Sequence, residues 1–267
     1  VTDNENPTIT SPANITITAD AGSCASTAVV LGTPTTADNC SVANVVNDGL
    51  ISYPLGTTTV TWTVTDGSGN TATSTQTVTV TDNENPTITV PADVIINADA
   101  GSCFSTVVNL GIPVTGDNCS VASVVNDGLS SYPVGNTTVT WTVTDGSGNV
   151  ITATQLVTVI DNQNPVALCQ NVTFQLDASG NYTATPAMID NGSTDNCGIT
   201  NYALSQTIFS CSDVGTNPIT LTLTDASGNT STCVSQVTIQ DIVQPVAICQ
   251  NIPAYLDASG AVSITAS

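Results

Sequence analysis

The chain contains no lysine, no arginine and no histidine, while 21 of its 267 residues are Asp or Glu, giving a formal net charge of −21. No side chain can carry a positive charge. Nucleic acids and anionic membranes are therefore poor partners, because both need Lys or Arg to replace counterions. Phosphoryl transfer, Schiff-base chemistry and histidine-assisted hydrolysis lose their working groups as well. Salt bridges between side chains are impossible, so the carboxylates can be balanced only by protons, dissolved salt or bound metal. Aromatic residues are scarce, with two Trp, five Tyr and three Phe, which predicts small cores. No apolar run reaches the ~18 residues of a membrane span, so direct membrane insertion is not expected. There is no CxxC pair, and nine cysteines without histidine fit an oxidising, extracellular setting better than zinc. The odd count leaves at least one cysteine whose partner lies outside the chain.

What is present is a repeat. TDNENP occurs at Thr2 to Pro7 and again at Thr81 to Pro86, DNQNP at Asp161 to Pro165 and DIVQP at Asp241 to Pro245. The leading aspartates Asp3, Asp82, Asp161 and Asp241 are spaced by 79, 79 and 80 residues. WTVTDGSGN recurs at Trp62 to Asn70 and Trp141 to Asn149, with LTLTDASGN at Leu221 to Asn229. The expected domains are 1–81, 82–160 and 161–240, followed at 241–267 by the first part of a fourth repeat. Thr59 to Thr65 alternates Thr with an apolar residue, the pattern of a half-buried strand with Val60, Trp62 and Val64 on the inner face. The Asp66 to Asn70 turn then leads into a second alternating run, and no segment has a helical period. Short strands with turns every ~10 residues predict tandem all-β sandwiches of the immunoglobulin or fibronectin type III class, arranged as an elongated rod. The final 27 residues are too few to bury a core alone. Continuation of the array beyond Ser267 is the favoured reading, with strand addition by a neighbouring molecule as the alternative.

The segments YPLGTTTVTWTVTDGSGN, PTTADNC, PVALC, STDNCG and SDVGTNPITLTLTDASGNTSTC resemble hyalin-type (HYR) immunoglobulin-like repeats. The version here is similar to that of long surface proteins of Bacteroidota, such as gliding-motility adhesins. The resemblance implies a secreted or cell-surface stalk with adhesive or structural roles and no catalytic residues.

Because the units are copies, their cysteines can be compared internally. Cys40, Cys119 and Cys197 share the DNC position; Cys24 and Cys103 share another, and the third repeat has Cys211 where the first two have Ser52 and Ser131. Cys169 and Cys233 occur together in the third repeat, opposite Ser11 with Ser74 and Val90 with Ala153. Residues that come and go together are expected to bond, which pairs Cys169 with Cys233 and leaves Cys249 a partner outside the chain. For the rest, local pairing (Cys24–Cys40, Cys103–Cys119, Cys197–Cys211) is preferred to a staple across the junctions (Cys24–Cys119, Cys103–Cys197). The objection to local pairing is that Cys24 and Cys40 belong at opposite poles of a sandwich.

Acidic residues also recur with the unit: Asp3, Glu5, Asp38 and Asp66; Asp82, Glu84, Asp117 and Asp145; Asp161, Asp195 and Asp225. In a fibronectin-like topology the start of the domain, the loop after the second strand and the last hairpin turn meet at one pole. These oxygens are expected to form junction cation sites for calcium, which takes 6–8 oxygen ligands. The competing reading is that Asp, Asn and Gly are simply turn formers. Gln163 in place of Glu84, and DIVQP at the fourth junction, predict weaker sites there. A glycosidase carboxylate pair is disfavoured because the acids repeat in every unit. The sequons at Asn14 and Asn171 permit glycosylation. The combined expectation is a non-enzymatic, extracellular stalk, stiffened by disulfides and calcium, that contacts further repeats of its own or neighbouring chains. A self-assembling filament or a module binding surface glycans are the alternatives.

Overall fold

The computed structural model describes residues 2–249 and 252–264 and divides into two compact units, 1–161 and 162–267. The first unit holds two copies of one sandwich. Strands of the first copy are β1 (Thr8–Thr10), β2 (Ile15–Thr18), β3 (Ala25–Ser26), β4 (Thr35–Ala37), β5 (Val42–Asn47), β6 (Tyr53–Pro54), β7 (Gly56–Asp66) and β8 (Thr71–Thr81). The main sheet has the order β2-β8-β7-β5, parallel between β2 and β8 and antiparallel elsewhere. Two short ladders, β1-β4 and β3-β6, complete the copy.

The alternation read from the sequence is the alternation of burial. Val60, Trp62, Val64 and Asp66 of β7 point inward, as do Gln76, Val78 and Val80 of β8, while the intervening threonines are half-buried or exposed. Ile9, Ile15, Ile17 and Leu31 pack on this core with Tyr53. With so few aromatics the core needs a polar clamp. Trp62 Nε1 donates to Gln76 Oε1 at 3.1 Å, and Gln76 Nε2 donates to the carbonyls of Ala13 (2.7 Å) and Leu31 (3.1 Å). The buried amide thus ties β8 to two loops that have no ladder partner there. The second copy repeats it with Trp141, Gln155, Ala92 and Leu110.

The third repeat, in the second unit, keeps the four-stranded sheet with Val172–Gln175, Thr230–Gln240, Gly215–Asp225 and Ile199–Leu204. Its core is organised differently. Leu221 and Ser235 stand where the other copies have Trp and Gln, and Phe174 stacks on Tyr182 with ring centroids 4.4 Å apart. Cys169 is bonded to Cys233, with a Cα–Cα distance of 5.8 Å. At the same place in the first copy Ser11 N–H donates to Ser74 Oγ at 3.3 Å, so a hydrogen bond and a disulfide fill equivalent positions. Closing 64 residues of chain lowers unfolded-state entropy by about 4 kcal/mol. A four-residue helix, Pro186–Ile189, with Ile189 in the core, also departs from the helix-free expectation. One helical turn with Pro at its start has no periodicity for a sequence pattern to show.

Residues 241–249 and 252–264 contain no strand, and all of them are exposed. A turn nevertheless forms in this segment: Asp257 Oδ1 accepts the N–H groups of Ser259 and Ala261 at 2.9 Å each. Asp177 does the same with Ser179 and Asn181 in the folded third repeat. The turn is encoded locally.

The favoured local disulfides do not form. Cys24 bonds Cys119, with Cα atoms 4.8 Å apart, and Cys40 and Cys211 are free. Cys103 and Cys197 are each disulfide-bonded, but neither pairs as expected, since Cys119 is taken and Cys211 is unbonded. The reason is length. Thr8 pairs with Ala37 and Val42 with Asp66 at the front pole, where the repeat begins, whereas Thr18 pairs with Thr81 at the rear pole. Cys40 follows β4 at the front, and Cys24 precedes β3 at the rear, where its carbonyl accepts Leu55 N–H at 3.2 Å. The eleven residues of β7 separate those poles by roughly 35 Å at ~3.3 Å per residue, against the ~7 Å limit between bonded cysteine Cα atoms.

Replacing Gln76 by Leu leaves the Trp62 N–H and two loop carbonyls unpaired in the core. The variant is expected to lose about 2–3 kcal/mol, read as a lower urea midpoint at unchanged slope; an unaltered midpoint would show that the clamp does not hold the loops.

Candidate functional site

Three turns meet at the front pole of each of the first two repeats: the junction segment, the DNC loop and the turn closing the last hairpin, β7–β8 in the first copy. Asp and Asn begin each turn for a local reason, since their side chains accept the N–H groups that the turn turns inward. In the first repeat Asp66 Oδ1 accepts Ser68 N–H (2.9 Å) and Asn70 N–H (2.8 Å), and its Oδ2 accepts Asn70 Nδ2 (2.7 Å). Asp38 Oδ2 accepts the N–H groups of Cys40 (2.8 Å) and Ser41 (2.7 Å). Asp3 Oδ1 accepts Glu5 N–H at 3.0 Å, while Asn70 Nδ2 holds the Asp3 carbonyl at 3.2 Å. The Asp3 and Asp38 turns are thereby finished with one oxygen to spare, whereas Asp66 uses both of its own.

Those spare oxygens converge. One carboxylate oxygen each from Asp3, Asp38 and Asp66 lie within 4.8 Å of one another. Asp3 Oδ2 and Asp38 Oδ1 are shut off from solvent and accept no hydrogen bond of good geometry. The weak thiol donor of Cys40 lies against Asp3, and that contact, with the charges of Asp3, Asp38 and Asp66, pushes the Cys40 thiol up. Buried like charges at this spacing repel, and this chain has no Lys, Arg or His to offset them. The donor set of carboxylates, amide and carbonyl oxygens is that of a hard divalent cation such as calcium.

The second repeat reproduces the arrangement in part: Asp82 and Asp117 come together without Asp145, and Ser147 Oγ donates to Asp82 Oδ2 at 3.4 Å. Asp82 is buried, its Oδ1 accepting Glu84 N–H (3.1 Å) and Asn118 Nδ2 (3.2 Å). Asp117 Oδ2 accepts the N–H groups of Cys119 and Ser120 at 2.8 Å each. Asp117 Oδ1 and Asn118 Oδ1 are shut off from solvent without a partner. Cys119 Sγ lies within the same 4.8 Å group as Asp82 and Asp117, but it is in a disulfide and supplies no thiolate. Asp145 closes its turn as Asp66 does, through Ser147 and Asn149. In the second unit Asp195 Oδ2 accepts Cys197 N–H at 2.8 Å while its Oδ1 is enclosed and unpartnered, and Asp225 closes its turn through Ser227 and Asn229. Asp161, buried, ends the first unit.

The two glutamates of the expected set have other partners. Glu5 Oε2 accepts Asn39 Nδ2 at 3.1 Å. Glu84 Oε2 reaches back to the preceding repeat and accepts Gly22 N–H at 2.8 Å. Beside it Asn118 Nδ2 donates to the Ser23 carbonyl at 3.0 Å, and Cys24–Cys119 closes the joint. The front pole of the second repeat is therefore an acidic cluster and a docking surface at once. The bracing role of Glu84 was invisible in the sequence, because its partner is a backbone N–H of a turn 62 residues away.

Residues 2–80 match the HYR domain family model. Hyalin of Strongylocentrotus purpuratus is 30% identical over 260 residues, covering 91% of this chain and 22% of its own; the chain thus spans about a fifth of that relative's length. Among solved structures, mouse cadherin-23 EC22-24 is 10% identical at a TM-score of 0.37, covering 90% of this chain and 100% of its own. The titin I-band fragment I67-I69 is 9% identical at a TM-score of 0.33, covering 89% and 100%.

Asp66, Asp145 and Asp225 define a pH dependence. Burial alone would raise their pKa values, but the side chains of Asn70, Asn149 and Asn229 and the N–H groups of each turn outweigh it and hold all three carboxyls below the ordinary range. A folded-state pKa below the unfolded ~3.9 contributes stability that is complete above that value and lost as pH falls through the lower one. Asp66→Asn should therefore flatten the loss of stability below about pH 4, measured by urea melts at stepped pH; an equally steep loss would refute the assignment.

Proposed function

We propose that the chain is a structural segment of an extracellular adhesion-type protein, built from HYR-type repeats whose front poles each bind a divalent cation of the calcium class. Its role is mechanical: it holds and spaces other parts of a surface protein and carries no catalytic centre. The HYR match of the first repeat and the 30% identity to Hyalin support the extracellular, adhesive setting. The observation that carries the cation reading is the set of enclosed, unpartnered carboxylate oxygens on Asp3, Asp38, Asp117 and Asp195. They recur at one place in the repeat, in a chain with no cationic side chain to answer them.

In each repeat the DNC-loop aspartate spends one oxygen on its own turn and offers the other. The junction aspartate does the same in the first repeat, and Asn70 or Asn149 aligns its carbonyl with the site. A bound cation would remove the repulsion among these groups and fix the junction segment to the DNC loop and hairpin turn. In the second repeat those elements also carry Glu84, Asn118 and Cys119, so cation binding would stiffen the very residues that grip the preceding repeat.

Calcium in large excess over its dissociation constant is expected to raise the melting temperature by several degrees over EDTA, since 100-fold excess is worth about 2.7 kcal/mol. Asp38→Asn combined with Asp117→Asn and Asp195→Asn should abolish that rise. In EDTA the same variant should be at least as stable as the parent, because it removes repulsion; equal melting temperatures for the parent chain in calcium and in EDTA would overturn the cation reading.

A further inference from the structure

Among the described residues the free cysteines are Cys40, Cys211 and Cys249, all exposed. Two of them match the two halves of the joint that is closed inside the first unit. That joint consists of the Cys24–Cys119 bond, the Asn118 hydrogen bond to Ser23 and the Glu84 hydrogen bond to Gly22. Its front half is a DNC loop. Cys40 is the same position on the first repeat, with Asn39 and Glu5 where the second has Asn118 and Glu84. The loops share their backbone turn: Cys40 N–H and Cys119 N–H each donate 2.8 Å bonds to the aspartate two residues before.

The rear half is harder to see in the third repeat, which has no cysteine at the Cys24 position. Register supplies it. In the first repeat Ser26 pairs with Tyr53 and Ala25 with Pro54, which sets Cys24 across the ladder from Leu55. In the third, Tyr182 pairs with Phe209 and Asn181 with Ser210, which sets Gly180 across from Cys211. Tyr53 and Phe209 are the buried aromatics of their ladders, so Gly180 stands where Cys24 does and Cys211 where Leu55 does. The thiol has crossed to the neighbouring strand and has not been lost. It lies over the vacated position: a Cβ on Gly180 would come within 2.7 Å of Cys211 Sγ, and Gly180 has φ +76°. This corrects the sequence comparison, which set Cys211 against Ser52.

The surroundings also match. At the closed joint, Gly22 of the rear-pole turn shares a cleft with Glu84 and Asn85 of the junction segment. At the rear pole of the third repeat, Ser179, Gly180 and Cys211 share a cleft with Asp241, Val243 and Gln244 of the DIVQP junction.

We propose that Cys211 is the rear half of a repeat-to-repeat disulfide joint, and that in the purified chain its partner is Cys40 of a second copy, linking copies head to tail. The oxidant is a small-molecule disulfide such as oxidised glutathione. The Cys211 thiolate attacks one glutathione sulfur and releases the first glutathione as thiolate; the Cys40 thiolate of the second copy then attacks the Cys211 sulfur and releases the other. Two protein thiols are oxidised, one glutathione disulfide is reduced to two thiols, and the two protons pass to the glutathiones. The joint is independent of the cation reading, since its closed example is a disulfide with two direct hydrogen bonds.

The test uses the full chain carrying Cys249→Ser, incubated with oxidised glutathione in EDTA and run on a non-reducing gel. Linked peptides are mapped after cleavage at Asp, because the chain has no Lys or Arg for trypsin. The expected result is a ladder beyond dimer with Cys40–Cys211 as the linked peptide, and loss of every species above dimer in both Cys40→Ser and Cys211→Ser. Overturning results are a ladder that survives Cys211→Ser, linked peptides confined to Cys40–Cys40 and Cys211–Cys211, or no species above monomer. Circular dichroism and melting of Cys211→Ser, an exposed position, check that the repeat stays folded.

Discussion

Negative charge without any positive side chain is the constraint on which the rest of this structure depends. Every carboxylate must be satisfied by N–H and O–H donors, by water or by an ion from solution. The chain meets most of the need locally. Asp20, Asp38, Asp66 and their counterparts each open a turn and accept backbone N–H groups within a few residues, a geometry that also fixes the turn. An aspartate has two oxygens, however, and the turns at Asp3 and Asp38 each use one of them. Where three such turns meet, the unused oxygens of Asp3 and Asp38 lie beside Asp66 out of reach of solvent, which is where the proposed cation would sit.

The second constraint is a small core. Units of about 80 residues bury a modest share of their surface, and with ten aromatic residues in the whole chain apolar contact is thin. The first two repeats compensate with a buried Trp–Gln clamp, the third with stacked rings and the Cys169–Cys233 bond. The Cys24–Cys119 bond has another role. It spans two repeats, so it holds one sandwich against the next and does not brace either core. Its neighbours Glu84 and Asn118 add direction, because they grip successive residues, Gly22 and Ser23, of the same turn.

The strands and the repeat were legible because period-2 alternation and a 79-residue recurrence are properties of the chain itself. The Asp66 to Asn70 turn was legible for the same reason, as is the turn at Asp257, which forms where no sandwich surrounds it. So was the Cys169–Cys233 pair, from its joint occurrence in one repeat, but the partner of Cys24 was not. Sequence nearness favoured Cys24–Cys40, and the length of β7 forbids it; the pole argument that pointed the other way needed only that length to be decisive. Cys211 was misaligned because a three-residue 3-10 turn, Cys211–Asp213, interrupts the third repeat and only ladder register restores the match. Of the acidic set, Asp3, Asp38 and Asp66 lie together and Asp82 lies with Asp117 but not with Asp145, whereas Glu84 is taken up by a backbone partner that no sequence pattern marks.

Anomalous diffraction from crystals of the full chain grown in calcium tests the central claim most directly. The account predicts a peak bounded by the carboxylates of Asp3, Asp38 and Asp66, and a second beside Asp82 and Asp117, with Asp38 Oδ1 and Asp117 Oδ1 among the ligands. Absence of both peaks, with those oxygens turned out to water, would contradict it.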